Sequence, residues 1–171
     1  MLIIICGLPG SGKSSLSRRL KRILPAIHLN TDKVRKEVFP NPKYTEQEKK
    51  MVYDEIVNQT EKQLLKKRNV IVDATFYSKK YRQRVINVAR DTKTKYYVIK
   101  CILSEEMIKK RLEMRGKRGT GVSDADYEIY LKVKEKFEPI EEKHLEVDCS
   151  FEGEEQVKKA MDYLGVKHGK R

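Results

Sequence analysis

The chain has 171 residues, 39% hydrophobic and 37% charged, and its 38 Lys and Arg exceed its 25 Asp and Glu to give a net charge of +13. That length fits one domain, residues 1–171, with a buried core, and the apolar runs are far too short to span a bilayer. With no leader-like segment the expected location is the cytoplasm, and the positive charge suits a phosphate-rich partner such as nucleic acid, although enrichment in both Lys and Glu also fits heat adaptation.

The chain opens on an apolar strand, Leu2–Cys6, followed directly by Gly7-Leu8-Pro9-Gly10-Ser11-Gly12-Lys13-Ser14, which fits G-x-x-x-x-G-K-[ST]. From Ser15 to Leu24 the apolar positions recur at helical spacing, so the motif sits between a strand and a helix, as a phosphate-binding P-loop requires. Glycines let the backbone N–H groups turn inward, and the helix N-terminus adds partial positive charge. Lys13 would reach the β/γ-phosphates of ATP and the Ser14 hydroxyl would ligate Mg²⁺.

Four more strands are expected at Ala26–Leu29, Val70–Asp73, Tyr96–Leu103 and Leu145–Cys149, separated by helical segments. That alternation predicts an α/β protein with a parallel sheet covered on both faces and ligands beyond the carboxyl ends of the strands. Pro40 and Pro42 end any helix after Asp32. Thr45 and Glu48 read as a capping box opening a long helix to about Lys67, with Val52, Ile56 and Val57 on its apolar face. Ser78 is expected to cap a helix from Lys79 to Arg90, and Ser104 one from Glu105 to Met114. Three glycines among cations in Arg111–Gly121 read as a mobile basic loop, part of a small lid over about 111–140. Asp124 to His144 looks helical until Pro139, and a last helix spans Glu154–Leu164. Cys6, Cys101 and Cys149 match no zinc or disulfide spacing and are expected as buried reduced thiols; His28, His144 and His168 are read as ordinary structural or surface residues.

Phosphoryl transfer asks for a phosphate cradle, Mg²⁺ ligation, an acceptor base and mobile cations. Asp73, at the end of a strand, stands where a Walker-B acid holds Mg²⁺, or it simply caps a turn. Asp32 can accept the proton of an attacking hydroxyl, or it caps the helix that Lys33 begins. Arg35, three residues on, would clamp an anionic part of the acceptor, or else be solvated or paired with Asp32. Arg111 and Arg115 project together at i, i+4 and can neutralise phosphate charge, or form a solvated basic face.

Taken in order, Gly7–Ser14, Asp32-x-x-Arg35, Asp73-Ala74-Thr75, Arg82 and Arg111-x-x-x-Arg115-Gly116 resemble the P-loop kinases related to phage polynucleotide 5′-kinase. The resemblance implies a five-stranded parallel sheet of order 2-3-1-4-5 with a lid. It also implies ATP and Mg²⁺ binding through Gly7, Pro9, Gly10, Ser11, Gly12, Lys13, Ser14 and Ser15, with Asp73 at the metal. Asp32 would be the general base, Arg35 the contact to the acceptor's phosphate, and Arg115, with Arg111 nearby, the stabiliser of the transferring group; Lys13, Asp32, Arg35 and Arg115 form the implied catalytic set. The phage-type enzyme has Asp-Thr-Asn where this chain has Ala74-Thr75-Phe76, moving the acid back to Asp73, and no residues here correspond to its phosphatase domain. The Asp-Ala-Thr-Phe wording and Lys134-Glu135-Lys136-Phe137-Glu138-Pro139 are also similar to predicted small kinases and to the kinase half of archaeal seryl-tRNA kinases. The expected activity is an ATP-dependent kinase acting on a polynucleotide 5′-hydroxyl, with a small-molecule kinase or a nucleotide-binding regulatory ATPase as alternatives.

Overall fold

Five consecutive apolar residues without polar alternation make β1 (Leu2–Cys6) a strand that must be covered on both faces, and all five are fully buried. A computed structural model describes residues 1–118 and 125–166 of the chain. After β1 come α1 (Lys13–Ile23), β2 (Ala26–Asn30), α2 (Thr31–Val38), α3 (Glu46–Leu65) and β3 (Asn69–Asp73). They are followed by α4 (Lys79–Asp91), β4 (Tyr96–Ile102), α5 (Glu105–Arg118), α6 (Tyr127–Glu135), β5 (His144–Asp148) and α7 (Gly153–Leu164). All strand pairs are parallel, in the order β2-β3-β1-β4-β5.

Side chains alternate across β1 and divide the core in two. Leu2, Ile4 and Cys6 share one cluster with Val52 and Ile56 of α3 and Val85, Ile86 and Ala89 of α4. Ile3 and Ile5 share the other with Leu16 and Leu20 of α1 and Val157 and Met161 of α7. The chain crosses to opposite sides of β1 when it leaves β1 and β3, so the ends of those two strands frame a crevice. Cys6, Cys101 and Cys149 are buried and free. Among the described residues, no helix is long and apolar enough to cross a membrane.

Four local expectations need correction. The stretch expected as a mobile basic loop is helical through Arg118, because Ile108 and Leu112 bury against Tyr130 of α6 in a small third cluster. Packing there outweighs the glycine signal; residues 119–124, which include the rest of the expected loop and the predicted start of the next helix at Asp124, lie outside the described residues. The helix expected to run on toward Pro139 is only α6, capped by Asp126, whose carboxylate accepts the Ile129 N–H at 2.8 Å. Ser78 occupies the N-cap of α4 without a side-chain bond, and the Glu138 carboxylate takes the Lys79 N–H instead. At α3, Thr45 does cap, accepting the Glu48 N–H at 3.2 Å, but Glu48 reaches back past it to the Lys43 and Tyr44 N–H groups at 2.9 and 2.6 Å.

Arg82, placed by resemblance among the family's marks, is buried away from the crevice and acts as a tie. Its guanidinium donates to the carbonyls of Phe76 (2.7 Å), Tyr77 (3.3 Å) and Pro139 (2.5 Å), while Glu138 N–H donates to Tyr77 O at 2.8 Å. The Lys134–Pro139 segment is thus pinned to the turn after β3. Arg82→Met keeps the volume but strips charge-assisted donors from buried carbonyls, so urea unfolding is expected to show a loss of about 3 kcal/mol. A loss below about 1 kcal/mol would mean water replaces the guanidinium there.

Candidate functional site

The loop between β1 and α1 needs left-handed backbone at Gly7 (φ 138°), Gly10 (φ 80°) and Gly12 (φ 104°). Space forbids side chains as well: a Cβ on Gly7 would stand 2.4 Å from the Cys101 carbonyl oxygen, and one on Gly12 would stand 2.9 Å from Cys149 Cβ. Both glycines are therefore held by backbone conformation and by contact with the ends of β4 and β5. Lys13 opens α1 and folds its ammonium back to donate to Leu8 O at 2.9 Å. Ser11 is buried behind the loop, and its hydroxyl has no hydrogen-bond partner.

Parallel pairing sets Asn30 of β2 opposite Asp73 of β3. Asn30 serves two elements at once, accepting the Lys33 N–H at 3.0 Å as the N-cap of α2 and donating from Nδ2 to Asp73 Oδ2 at 2.9 Å. His28, expected as an ordinary structural or surface residue, has its side chain buried with Nε2 3.4 Å from the same carboxylate oxygen. Burial alone would push the fully buried Asp73 up. His28, the charge of Lys13 and the Ser14 hydroxyl outweigh it and hold the carboxyl below the usual aspartate value. Asp73 Oδ1 is left buried without a partner. An ionised carboxylate with one orphaned oxygen beside a serine hydroxyl is a hard oxygen donor set, so these residues fit Mg²⁺. No group of three or more His, Cys, Asp or Glu able to enclose a metal exists among the described residues, which leaves the remaining ligand positions to phosphate and water.

A cavity of about 1050 Å³ gathers most of the residues picked from the sequence: Pro9, Gly10, Gly12, Lys13, Ser14, Ser15, Asp32, Arg35, Asp73, Arg111 and Arg115. Gly7 and Ser11 shape the loop from behind. The volume is at the upper end for one drug-sized ligand and has room for two reactants. On one side Arg18, Arg19, Phe151 and Gln156 extend it between α1 and α7, offering flat and cationic surface beside the phosphate loop. On the other side α2 and α3 supply Asp32, Arg35, Lys49 and Tyr53, the connection between them supplies Tyr44, and the turn after β3 supplies Tyr77.

The geometry decides several alternatives. Asp32 lies in the first turn of α2 and is not its cap, since Asn30 is. Arg35 is buried at 8% exposure and is not a solvated cation; its guanidinium lies 3.6 Å from Glu48 and over the Tyr44 ring at 5.0 Å. Arg111 and Arg115 both face the cavity from α5, and Arg111 is anchored, donating to Cys149 O at 2.8 Å. Missed from the sequence were His28, Asn30, Glu48, Lys49, Tyr53 and Tyr77. One signal was available: His28 lies in the strand predicted at Ala26–Leu29 and Asn30 directly follows it on the same face, where buried polar groups require a partner.

A family model described as "AAA domain" matches residues 2–140. The chain is 32% identical over 128 residues to the L-seryl-tRNA(Sec) kinase of Methanococcus maripaludis, covering 69% of this chain and 47% of that protein. It is 33% identical over 111 residues to Protein KTI12 homolog of Xenopus laevis, covering 62% of this chain and 40% of that one. The chain thus spans less than half the length of these curated relatives. Among solved structures, Chaetomium thermophilum Kti12 in complex with ADP-AlF3 superposes with a TM-score of 0.79 at 18% identity, over 96% of this chain and 97% of that one. With its nucleotide loop, sheet order and matched length, the chain belongs to this AAA-domain family of P-loop kinases and NTPases.

Proposed function

We propose that the protein is an ATP-dependent kinase that transfers the γ-phosphate to a hydroxyl carried by a nucleic acid. The observation that carries this reading is one cavity with a phosphate loop at one side and the acid Asp32 with the buried Arg35 at the other. In the proposed reaction the acceptor oxygen bonds to the γ-phosphorus, the bond from that phosphorus to the bridging oxygen breaks, ADP leaves, and the hydroxyl proton passes to the Asp32 carboxylate. Lys13, Arg111 and Arg115 face the donor side, where they would offset charge on the transferring group. Arg35 would bind an acceptor phosphate. Mg²⁺, when bound by Ser14 and Asp73, supplies neutralisation of the β- and γ-phosphates.

A nucleic-acid acceptor draws support from the net charge of +13 and from the archaeal relative, whose name places its acceptor hydroxyl on a tRNA. A polynucleotide 5′-hydroxyl, implied by the sequence resemblance, is a second acceptor of the same class. The test is label transfer from γ-labelled ATP to 5′-OH RNA, 5′-OH DNA, tRNA and pooled metabolites, with Lys13→Ala as the blank. Transfer to a nucleic acid is expected; labelling of a metabolite alone would overturn the acceptor class. A nucleotide-hydrolysing regulatory module is the second reading, favoured by the relative named for KTI12 and not for a kinase. Persistent Lys13-dependent hydrolysis with no labelled acceptor would establish it instead.

A further inference from the structure

Lys49 lines the acceptor side of the cavity from the first turns of α3, and nothing in the proposed phosphoryl transfer uses it. Its ammonium donates to the Tyr77 hydroxyl at 2.8 Å and to Glu46 Oε1 at 2.5 Å. The two partners differ in kind. Glu46 is 81% exposed, and an exposed i, i+3 pair contributes little to stability, so an incoming anion can displace it. Tyr77 is fixed: its carbonyl is tied to Glu138 and Arg82, and its ring lies 5.2 Å from the Lys49 ammonium. Lys49 is therefore a cation held in place by a buried framework and only loosely occupied.

Lys49 shares its cavity with Arg35, the acceptor's first expected anion contact. Arg35 lies 3.6 Å from Glu48, the residue before Lys49 in sequence. Arg35 and Lys49 both line the cavity that Asp32 lines, as do Tyr44 and Tyr77. Cations and aromatic residues lining one cavity suit single-stranded nucleic acid, in which each phosphate is followed by a ring that can stack.

We propose that Lys49 and Tyr77 form a second phosphate-binding position beside Arg35, so that the acceptor is a single strand engaged through two consecutive phosphates and the intervening base. The proposal rests on the kinase reading for its chemistry, but strand binding can be measured without catalysis. In the first arm, anisotropy of a fluorescent single-stranded RNA oligonucleotide is titrated with the full chain and a non-hydrolysable ATP analogue across a salt series. Lys49→Ala is expected to weaken binding about tenfold and to reduce the slope of log affinity against log salt by about 0.7, and Lys49→Arg to restore both. In the second arm, KM is compared for a nucleoside 3′-phosphate and a dinucleotide 3′-phosphate. Lys49→Ala is expected to raise KM only for the acceptor with two phosphates. An unchanged salt slope, absence of strand binding by the unsubstituted protein, equal effects on both acceptors, or an effect confined to a small bisphosphorylated metabolite would overturn the proposal. Strand binding with the expected slope but no transfer would retain the phosphate position and reject the kinase reading.

Discussion

Asp32→Asn is expected to lower kcat for phosphoryl transfer by about 10²–10⁴-fold, the range for loss of a general base, with nucleotide affinity unchanged. The substitution is close to isosteric. It also spares the helix cap, because Asn30 caps α2 and holds Asp73, while Asp32 places an acidic charge in the first turn. Losing that charge costs about 0.3–1 kcal/mol, far too little to explain a hundredfold loss through unfolding. Single-turnover transfer, a nucleotide titration and a thermal melt on the same preparation separate these effects. Transfer within about tenfold of the unsubstituted protein would remove Asp32 as the base and leave it a helix-dipole acid. In a regulatory ATPase, slow hydrolysis and partner binding would survive the substitution nearly intact.

What was legible in the sequence was what is local. Gly7–Ser14 declared itself because loop conformation, the lysine and the following helix are written in adjacent residues, and the strand order followed from a resemblance carried by such motifs. Asp73 was legible as a strand end. Its surroundings were not: His28 and Asn30 reach it only through the parallel register of β2 with β3, which sequence spacing across 43 residues does not encode. Arg35 shows the same limit. Glu48 and Tyr44 are brought to it by the fold of the Pro40–Tyr44 connection, and sequence spacing pointed to neither. The basic stretch from Arg111 to Arg118 failed for the opposite reason, since glycine content argued locally for a loop and the burial of Ile108 and Leu112 against Tyr130 decided for a helix.

The crevice therefore has one wall that is sequence-local and one that is assembled. The phosphate loop and α1 form the first. The second needs α2, α3 and the turn after β3, held together through Glu48, Lys49 and Arg82. Substitutions on the first wall are expected to act through nucleotide binding, and those on the second through the acceptor, which makes the two halves separable by experiment.

On the first wall, Lys13→Ala is expected to remove most of the thermal shift given by ATP and to cut transfer by about 10³-fold, the upper range for removing one preorganised donor to the developing charge. The unliganded protein should barely notice the change. Leu8 O, which Lys13 contacts at 2.9 Å, also accepts the Ser11 N–H at 3.1 Å, so the carbonyl stays bonded when the ammonium is gone. The stability loss is about 1 kcal/mol, or roughly 2–4 °C. Ligand linkage then separates the variants cleanly. Nucleotide at a hundred times Kd stabilises the unsubstituted protein by about 2.7 kcal/mol; a hundredfold weaker Kd leaves about 0.4 kcal/mol at the same concentration. Melts with and without ATP and Mg²⁺, run beside the transfer assay, check both parts. A Lys13→Ala protein that keeps its full ATP shift would show that the nucleotide binds elsewhere than this loop.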